Sequence, residues 1–559
     1  MIARLGPPLT VMLLAGPMAF GLLATVLPAV GFLPVLGGTR LTTAHFAALA
    51  AEPGIAVSAW LGLSAGFFST VVSTGLVLLV LAAWAGTPTF TRLQNLLSPL
   101  LSVPHAAAAF GLAFLIAPSG MLARLVSPEL TGWTRPPDLL IVNDPAGLAM
   151  IGGLIAKEVP FLLLVAVAAL PQVKLAETRA LAASLGYGRI AGFVFLAWPR
   201  IYVQIRLAAF AVVAFSSSVV DVAVILGPTT PPTLAVRLVE MMNHPDLAMR
   251  SKAAAGAVLQ LGVTVAALVL WLGLERIGGS LCRRMAAAGL RLRRDRPVRQ
   301  AALAASVALA VVTFGGLAVL GLWSVAGLWQ FPDVLPRELT LRGWQAAAPR
   351  IAAPLATTLV VAAVSAALAV ALVLMCLVRE DRTGRRPGRG ALLLIYLPLL
   401  VPQVSFLFGL QLLVLIGGIG TGLPALVLAH LVFVLPYVFL SLSDPWRAFD
   451  RRYEAVASGF GSTSLGMLWE IKLPMLLRPV LTAAAVGFAV SVGQYLPTVL
   501  VGAGRLTTIT TEAVALASGG NRRVIGIYAF LQMLLPFLGF AIALAVPALL
   551  FRHRRAMRA

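Results

Sequence analysis

Apolar residues in this chain come in runs of about 18–28, each long enough to cross a hydrocarbon core as helix. That pattern restricts the fold more than any other feature. Inside a bilayer the backbone must satisfy its own hydrogen bonds, which leaves helices and closed barrels as spanning structures. No sustained period-two alternation of the kind an outer-membrane barrel needs is present. The runs therefore read as helices. Composition agrees, with 60% hydrophobic and 11% charged residues, against roughly 45–50% and about 25% in soluble domains. The chain is predicted to be an all-α polytopic membrane protein. Its amino terminus carries Arg4 and then a long apolar run without a clear small-residue cleavage site, so a retained first span is expected.

The formal charge of +22 would point to a nucleic-acid partner in a soluble protein. Here the basic residues cluster in short connectors between spans, the positive-inside pattern, and the lipid bilayer replaces nucleic acid as the expected partner. Cys282 and Cys376 match no metal spacing and no disulfide framework.

Taken in order, spans are expected near 9–36, 56–85, 96–117, 147–170 and 201–226, with a sixth after Arg250 and up to Leu274. A second set follows near 301–328, 354–378, 391–416, 423–442, 480–501 and 525–550. This gives about 12 transmembrane helices with both termini on the inner side. Between the sets, 276–300 carries Arg276, Arg283, Arg284, Arg291, Arg293, Arg294, Arg296 and Arg299. Such a run fits a solvated linker near anionic headgroups. The expected organisation is a first domain over 1–275, a basic linker over 276–300 and a second domain over 301–559.

The two sets repeat in residues as well as in hydropathy. Val103-Pro104 followed by Phe110-Gly111-Leu112 matches Val401-Pro402 followed by Phe408-Gly409-Leu410 at identical spacing, and Pro160-Phe161 matches Pro436-Tyr437. Two parallel copies imply a pseudo-two-fold axis along the membrane normal, with a pathway between the halves.

The most informative repeat is polar. At 177–199 and again at 454–474, a small-residue segment runs into a glycine, Gly186 or Gly461, and the next segment meets a proline thirteen residues later, Pro199 or Pro474. Glycine can take the left-handed conformation that ends a helix and turns the chain. Proline is expected to stop or kink the second arm before it re-enters the membrane. Both hairpins follow an even number of spans and so face the same side.

These hairpins resemble the EAA loop of ABC-transporter permeases, whose pattern is Glu-Ala-Ala, three residues, Gly, nine residues, Ile-x-Leu-Pro. The second copy carries Gly461, Ile471, Leu473 and Pro474, and the first carries Gly186, Leu196, Trp198 and Pro199. The family's glutamate falls on Ala180 and Ala455, so the nearest acids, Glu177 and Glu454, are displaced by three residues and by one. The second alanine is kept as Ala182 and Ala457. The resemblance covers the whole chain as two fused permease domains, similar to the fused components of thiamine and ferric-iron importers. It implies a type I importer permease fold of two homologous six-helix halves in a bacterial inner membrane. It also implies two copies of a cytoplasmic ATPase subunit docked on the hairpins and a periplasmic solute-binding protein outside. The chain itself would hold no cofactor, ATP being used by the partners. In agreement, none of its four lysines (Lys157, Lys174, Lys252, Lys472) follows a glycine, so no P-loop exists here.

Polar groups inside spans are costly in lipid and mark a partner or a cavity. Lys157, Glu158, Asp221, His430 and Gln494 are the candidates for a translocation pathway, and interhelical packing is the competing role for each. No catalytic motif emerges, and the chain is not expected to be an enzyme. An ion-driven carrier with two six-span halves is the alternative function, and it leaves the paired hairpins without a role. A membrane-embedded transferase would need clustered acids or a histidine on a membrane-edge loop, where this chain has mostly arginine.

Overall fold

The computed structural model describes residues 4–34, 37–416, 418, 420 and 422–552. The predicted end of the first span at 36 and the basic tail beyond Arg552 lie outside the described residues. Among the described residues, ten helices are long and apolar enough to cross a bilayer, and two sharply bent helix pairs bring the number to as many as 12. The first six spans are Gly6–Ala29, Ile55–Trp84, His105–Leu125, Leu148–Gln172, Arg189–Ser218 and Met249–Ala287. The second six are Arg296–Val325, Arg342–Thr383, the pair Gly390–Leu400 and Gln403–Leu412, Leu423–Arg447, the pair Met467–Met475 and Leu477–Val492, and Arg522–Leu550.

Proline places the same break in both halves. Val103 and Val401, each the residue before a proline, take extended backbone with ψ of 124° and 128°. A residue before proline is pushed out of the helical region, so the helix cannot run through. In the second half the break is a 94° bend within the ninth span. In the first half the segment ahead of it is the amphipathic helix Pro88–Leu97, and the third span starts only at His105.

Two expected spans end earlier than their apolar runs. The fifth stops at Ser218 and the eleventh at Val492, and the remainders form the short helices Asp221–Leu226 and Leu496–Gly502. The interruption is tolerable because the freed carbonyls find donors within the protein. Gln260 Nε2 donates to the Ser217 carbonyl at 3.1 Å, and the Thr510 hydroxyl donates to that of Val492. Hydropathy cannot register such partners.

The sixth span continues helically to Ala287, and the seventh begins at Arg296. Most of the basic stretch 276–300 is therefore helix, and the connector proper is 288–295.

The halves interlock. Gly111 in the third span meets Gly316 in the seventh so closely that a Cβ on either would stand 2.9 Å or 2.7 Å from the other's backbone. Gly21 in the first span meets the ninth span at Phe406 and Gly409 in the corresponding way. There Thr25 Oγ1 accepts the Gly409 N–H at 3.2 Å and donates to the Gly21 carbonyl at 2.8 Å. The opening helix of each half thus lies against the third span of the other. Lipid supplies no hydrophobic drive between helices, and small residues let backbones approach closely instead. Gly316→Ala forces a methyl into the Gly111 backbone and should cost about 1–3 kcal/mol. A thermal midpoint in detergent equal to that of the unaltered protein would remove this crossing from the fold's supports.

Candidate functional site

In the first hairpin, helix Leu175–Ser184 ends at Gly186, whose φ is +75°. In the second, helix Arg452–Gly459 ends before Gly461, whose φ is +78°. The closing hydrogen bonds are the same in both. Gly186 N–H donates to Ala183 O at 2.9 Å and Tyr187 N–H to Ala182 O at 3.0 Å. Gly461 N–H donates to Ser458 O at 3.0 Å and Ser462 N–H to Ala457 O at 3.1 Å. This pair of bonds around a left-handed glycine is the Schellman motif. Ala182 and Ala457 supply its far carbonyl and are buried, each in a helix that is otherwise largely exposed.

The outward faces also match. Leu181 and Leu185 are exposed in the first hairpin, and at the same two places the second exposes Val456 and Phe460, the latter 86% accessible. Each second arm then passes through a π-helical turn, 193–197 and 467–472, just before its proline. The expected stop at both prolines holds in one copy only. Beyond Pro474 the arm bends by 71°, whereas Arg189–Ser218 runs on through Pro199 as one helix. Pro199 lies in the first turn after the π segment, where its missing N–H costs little. Ile471 lies within the second π turn, and Leu473 and Pro474 lie in the short helix that follows it.

The displaced acids differ sharply. Glu177 is exposed and pairs with Lys174 at 3.2 Å, one turn away on the surface. Glu454 faces inward, where its Oε1 accepts from Lys472 Nζ at 3.1 Å. Lys472 is itself buried and donates to Asp381 Oδ2 at 2.6 Å beneath the ring of Trp446. Glu454 is therefore a strut within its hairpin. The first hairpin is instead held by the inter-half connector. Gly188 N–H donates to Arg291 O at 2.7 Å, Ile190 N–H to Asp295 Oδ2 at 2.9 Å, and Arg293 Nε to Gly186 O at 3.1 Å.

The intramembrane candidates separate into two groups. Lys157 Nζ donates to the Leu100 and Leu101 carbonyls at 2.8 and 3.0 Å, closing the turn that precedes the Pro104 break. His430 has both ring nitrogens engaged, Nδ1 with Ser491 Oγ at 2.8 Å and Nε2 with Thr498 Oγ1 at 2.9 Å. Both side chains therefore serve contacts between helices. His430→Ala leaves the two hydroxyls unpaired and should cost about 1–3 kcal/mol of stability. The solute KM of uptake should stay constant, and an altered solute preference would place His430 on the pathway.

Glu158 and Asp221 belong to one polar cluster. Glu158 Oε1 lies 3.4 Å from His105 Nε2, and Asp221 lies within the field of the same histidine. From the other half, Tyr437 lies within the field of Glu158 and Tyr495 within that of Asp221. Gln494 is buried beside Tyr495. His105 lies inside the span expected at 96–117 and directly after the Val103-Pro104 break, so the same intramembrane-polarity rule that marks His430 marks it too. Asp381 carries no such mark, apart from being one of two acids in an arginine-rich connector.

The family described as binding-protein-dependent transport system inner membrane component matches residues 381–553. The chain is 31% identical over 507 residues to the inner membrane ABC transporter permease protein YnjC of Escherichia coli, covering 90% of this chain and 91% of that protein. It is 28% identical over 130 residues to the spermidine/putrescine transport system permease protein PotC of Haemophilus influenzae, covering 23% of this chain and 49% of that one. It is 35% identical over 147 residues to the molybdenum transport system permease protein ModB of Mycobacterium tuberculosis, covering 24% and 55%.

Proposed function

The chain belongs to the binding-protein-dependent ABC importer permeases, and from that membership we propose that it forms the transmembrane part of one ATP-driven importer. The observation that carries this reading is the paired hairpins, with the same glycine turn and the same two exposed apolar positions on each. Each hairpin offers a rigid, small-residue turn with an uncovered apolar pair, which suits docking of a separate subunit. Two copies of an ATPase subunit would sit there, since the sequence has no P-loop of its own. A binding protein would deliver a small solute at the opposite face, and both termini would lie on the ATPase side of the inner membrane. The homologous units are 1–275 and 301–559, joined by the basic linker.

The pathway we propose runs between the halves past Glu158, Asp221 and Gln494, joined by His105. Lys157 and His430 are assigned to the scaffold around it. Closure of the ATPase dimer would move the two hairpins together, and the interlocked first and third spans would carry that motion into both halves.

Tagged chain extracted in mild detergent should bring down an ATP-hydrolysing subunit at two copies per chain. Recovery of the chain alone from cells that take up solute through it would overturn the proposal and restore the ion-driven carrier.

A further inference from the structure

The two hairpins differ at one internal spot, and there they are opposite in charge. With Gly186 set on Gly461, Ala197 falls on Lys472 and Arg179 on Glu454. In the second hairpin that spot is filled, with the Lys472 ammonium seated between the carboxylates of Glu454 and Asp381. In the first, alanine replaces the lysine and arginine replaces the glutamate. The inner end of the second span, 81–86, carries no acid to stand for Asp381. What remains is a cavity of about 210 Å³ to which Arg179, Arg189 and Thr178 bring the polar groups, the rest of its wall being small or apolar residues such as Ala197 and Phe193. A single enclosed water needs about 10–15 Å³ of space measured in this way, so the cavity has room for a hydrated tetrahedral ion.

Its charge is unbalanced. Arg179, Arg189 and Arg299 lie close enough to repel one another, and burial together with Arg189 and Arg299 pushes the Arg179 guanidinium down to about 10. Asp295 is the carboxylate of this group, 3.9 Å from Arg299, and its Oδ2 is already engaged by the Ile190 N–H. Arg179 and Arg189 each spend one Nη2 on the Ala85 carbonyl. The Nε–H groups of Arg189 and Arg299 are buried without a hydrogen-bond partner among the described residues. Buried donors of this kind are normally satisfied, and guanidiniums match phosphate oxygens in geometry.

We propose that the first hairpin binds a phosphate-type oxyanion in this cavity, held by Arg179 and Arg189 with Arg299 behind them. The ion supplies from outside the negative charge that the second hairpin carries as Glu454 and Asp381. Two sources share this chemistry, free phosphate in the aqueous phase and the headgroup phosphate of an anionic phospholipid. The proposal does not depend on the hairpin docking an ATPase subunit.

The test uses the full chain in nanodiscs. In phosphatidylcholine alone, inorganic phosphate at constant ionic strength should raise the thermal midpoint by a few degrees and saturate, because a ligand that binds only the folded state stabilises it. If phosphate is inert there and partial replacement of the lipid by phosphatidylglycerol gives the rise, the source is the headgroup. Either result supports the site. Arg179→Gln should abolish the response. Arg179→Glu combined with Ala197→Lys transplants the ion pair of the second hairpin, should fold as stably as the loaded protein, and should ignore both sources. No rise in either arm, or an undiminished rise in both variants, overturns the proposal. A rise seen only when an ATPase subunit is bound also overturns it, and assigns the arginines to a partner carboxylate.

Discussion

Valine in place of both Gly186 and Gly461 should abolish solute uptake while the chain still inserts and folds its spans. Both glycines have φ near +75°, a region that costs an ordinary L-residue roughly 1–2 kcal/mol, and a β-branched one more. The two sites separate strain from crowding. A Cβ on Gly461 would meet nothing within 4 Å, so the cost there is conformational alone. A Cβ on Gly186 would also stand 2.8 Å from the Arg293 guanidinium. Relief of the strain unwinds the Schellman turn, whose carbonyls belong to Ala182 and Ala457, and misaims the exposed apolar pair beyond it. Transport and ATP hydrolysis by the assembled complex should fall together, with unchanged amounts of protein in the membrane. Gly461→Ala alone should give a partial loss. Full uptake in the double valine variant would separate the hairpins from coupling.

The second large effect is expected at Lys472. Lys472→Met keeps the length of the side chain and removes its charge, leaving Glu454 and Asp381 facing each other in a partly buried site. Removing one partner of a buried ion pair costs about 3–5 kcal/mol, and the loss here falls toward the lower end because both carboxylates retain some access to solvent. The damage should be local. Arg452–Gly459 should become open to proteolysis and the ATPase subunit on that side should dissociate, while the first hairpin keeps its own. Asp381→Asn should be milder, since Glu454 stays paired and the Trp446 indole can still donate to the amide oxygen. Equal protease resistance of Lys472→Met and the unaltered chain would show that the strut is dispensable.

Much of this architecture is legible in the residues because it rests on local rules. Apolar run length sets the spans, proline after valine sets the breaks at Val103 and Val401, and glycine in an otherwise good helix former sets the turns at Gly186 and Gly461. Each of these depends on a few neighbours along the chain. The ends of the fifth and eleventh spans escape the sequence for the opposite reason. Valine, alanine and leucine continue past Ser218 and Val492, and the donors that make an interruption tolerable, Gln260 and Thr510, come from far away in sequence.

The paired hairpins show where the division falls. The sequence alone determined that there are two of them, each turning at a glycine, because the motif is a property of the chain as a line. Only the tertiary structure decided what lies inside each. Glu454 and Lys472 are eighteen residues apart and Asp381 is a further seventy-three from Glu454, yet they meet in one ion cluster. Arg179, Arg189 and Arg299, the last from the first turn of the seventh span, converge across an even longer stretch. Charge acts through space over a few ångströms, so the sign of a buried site depends on which distant segments packing brings together.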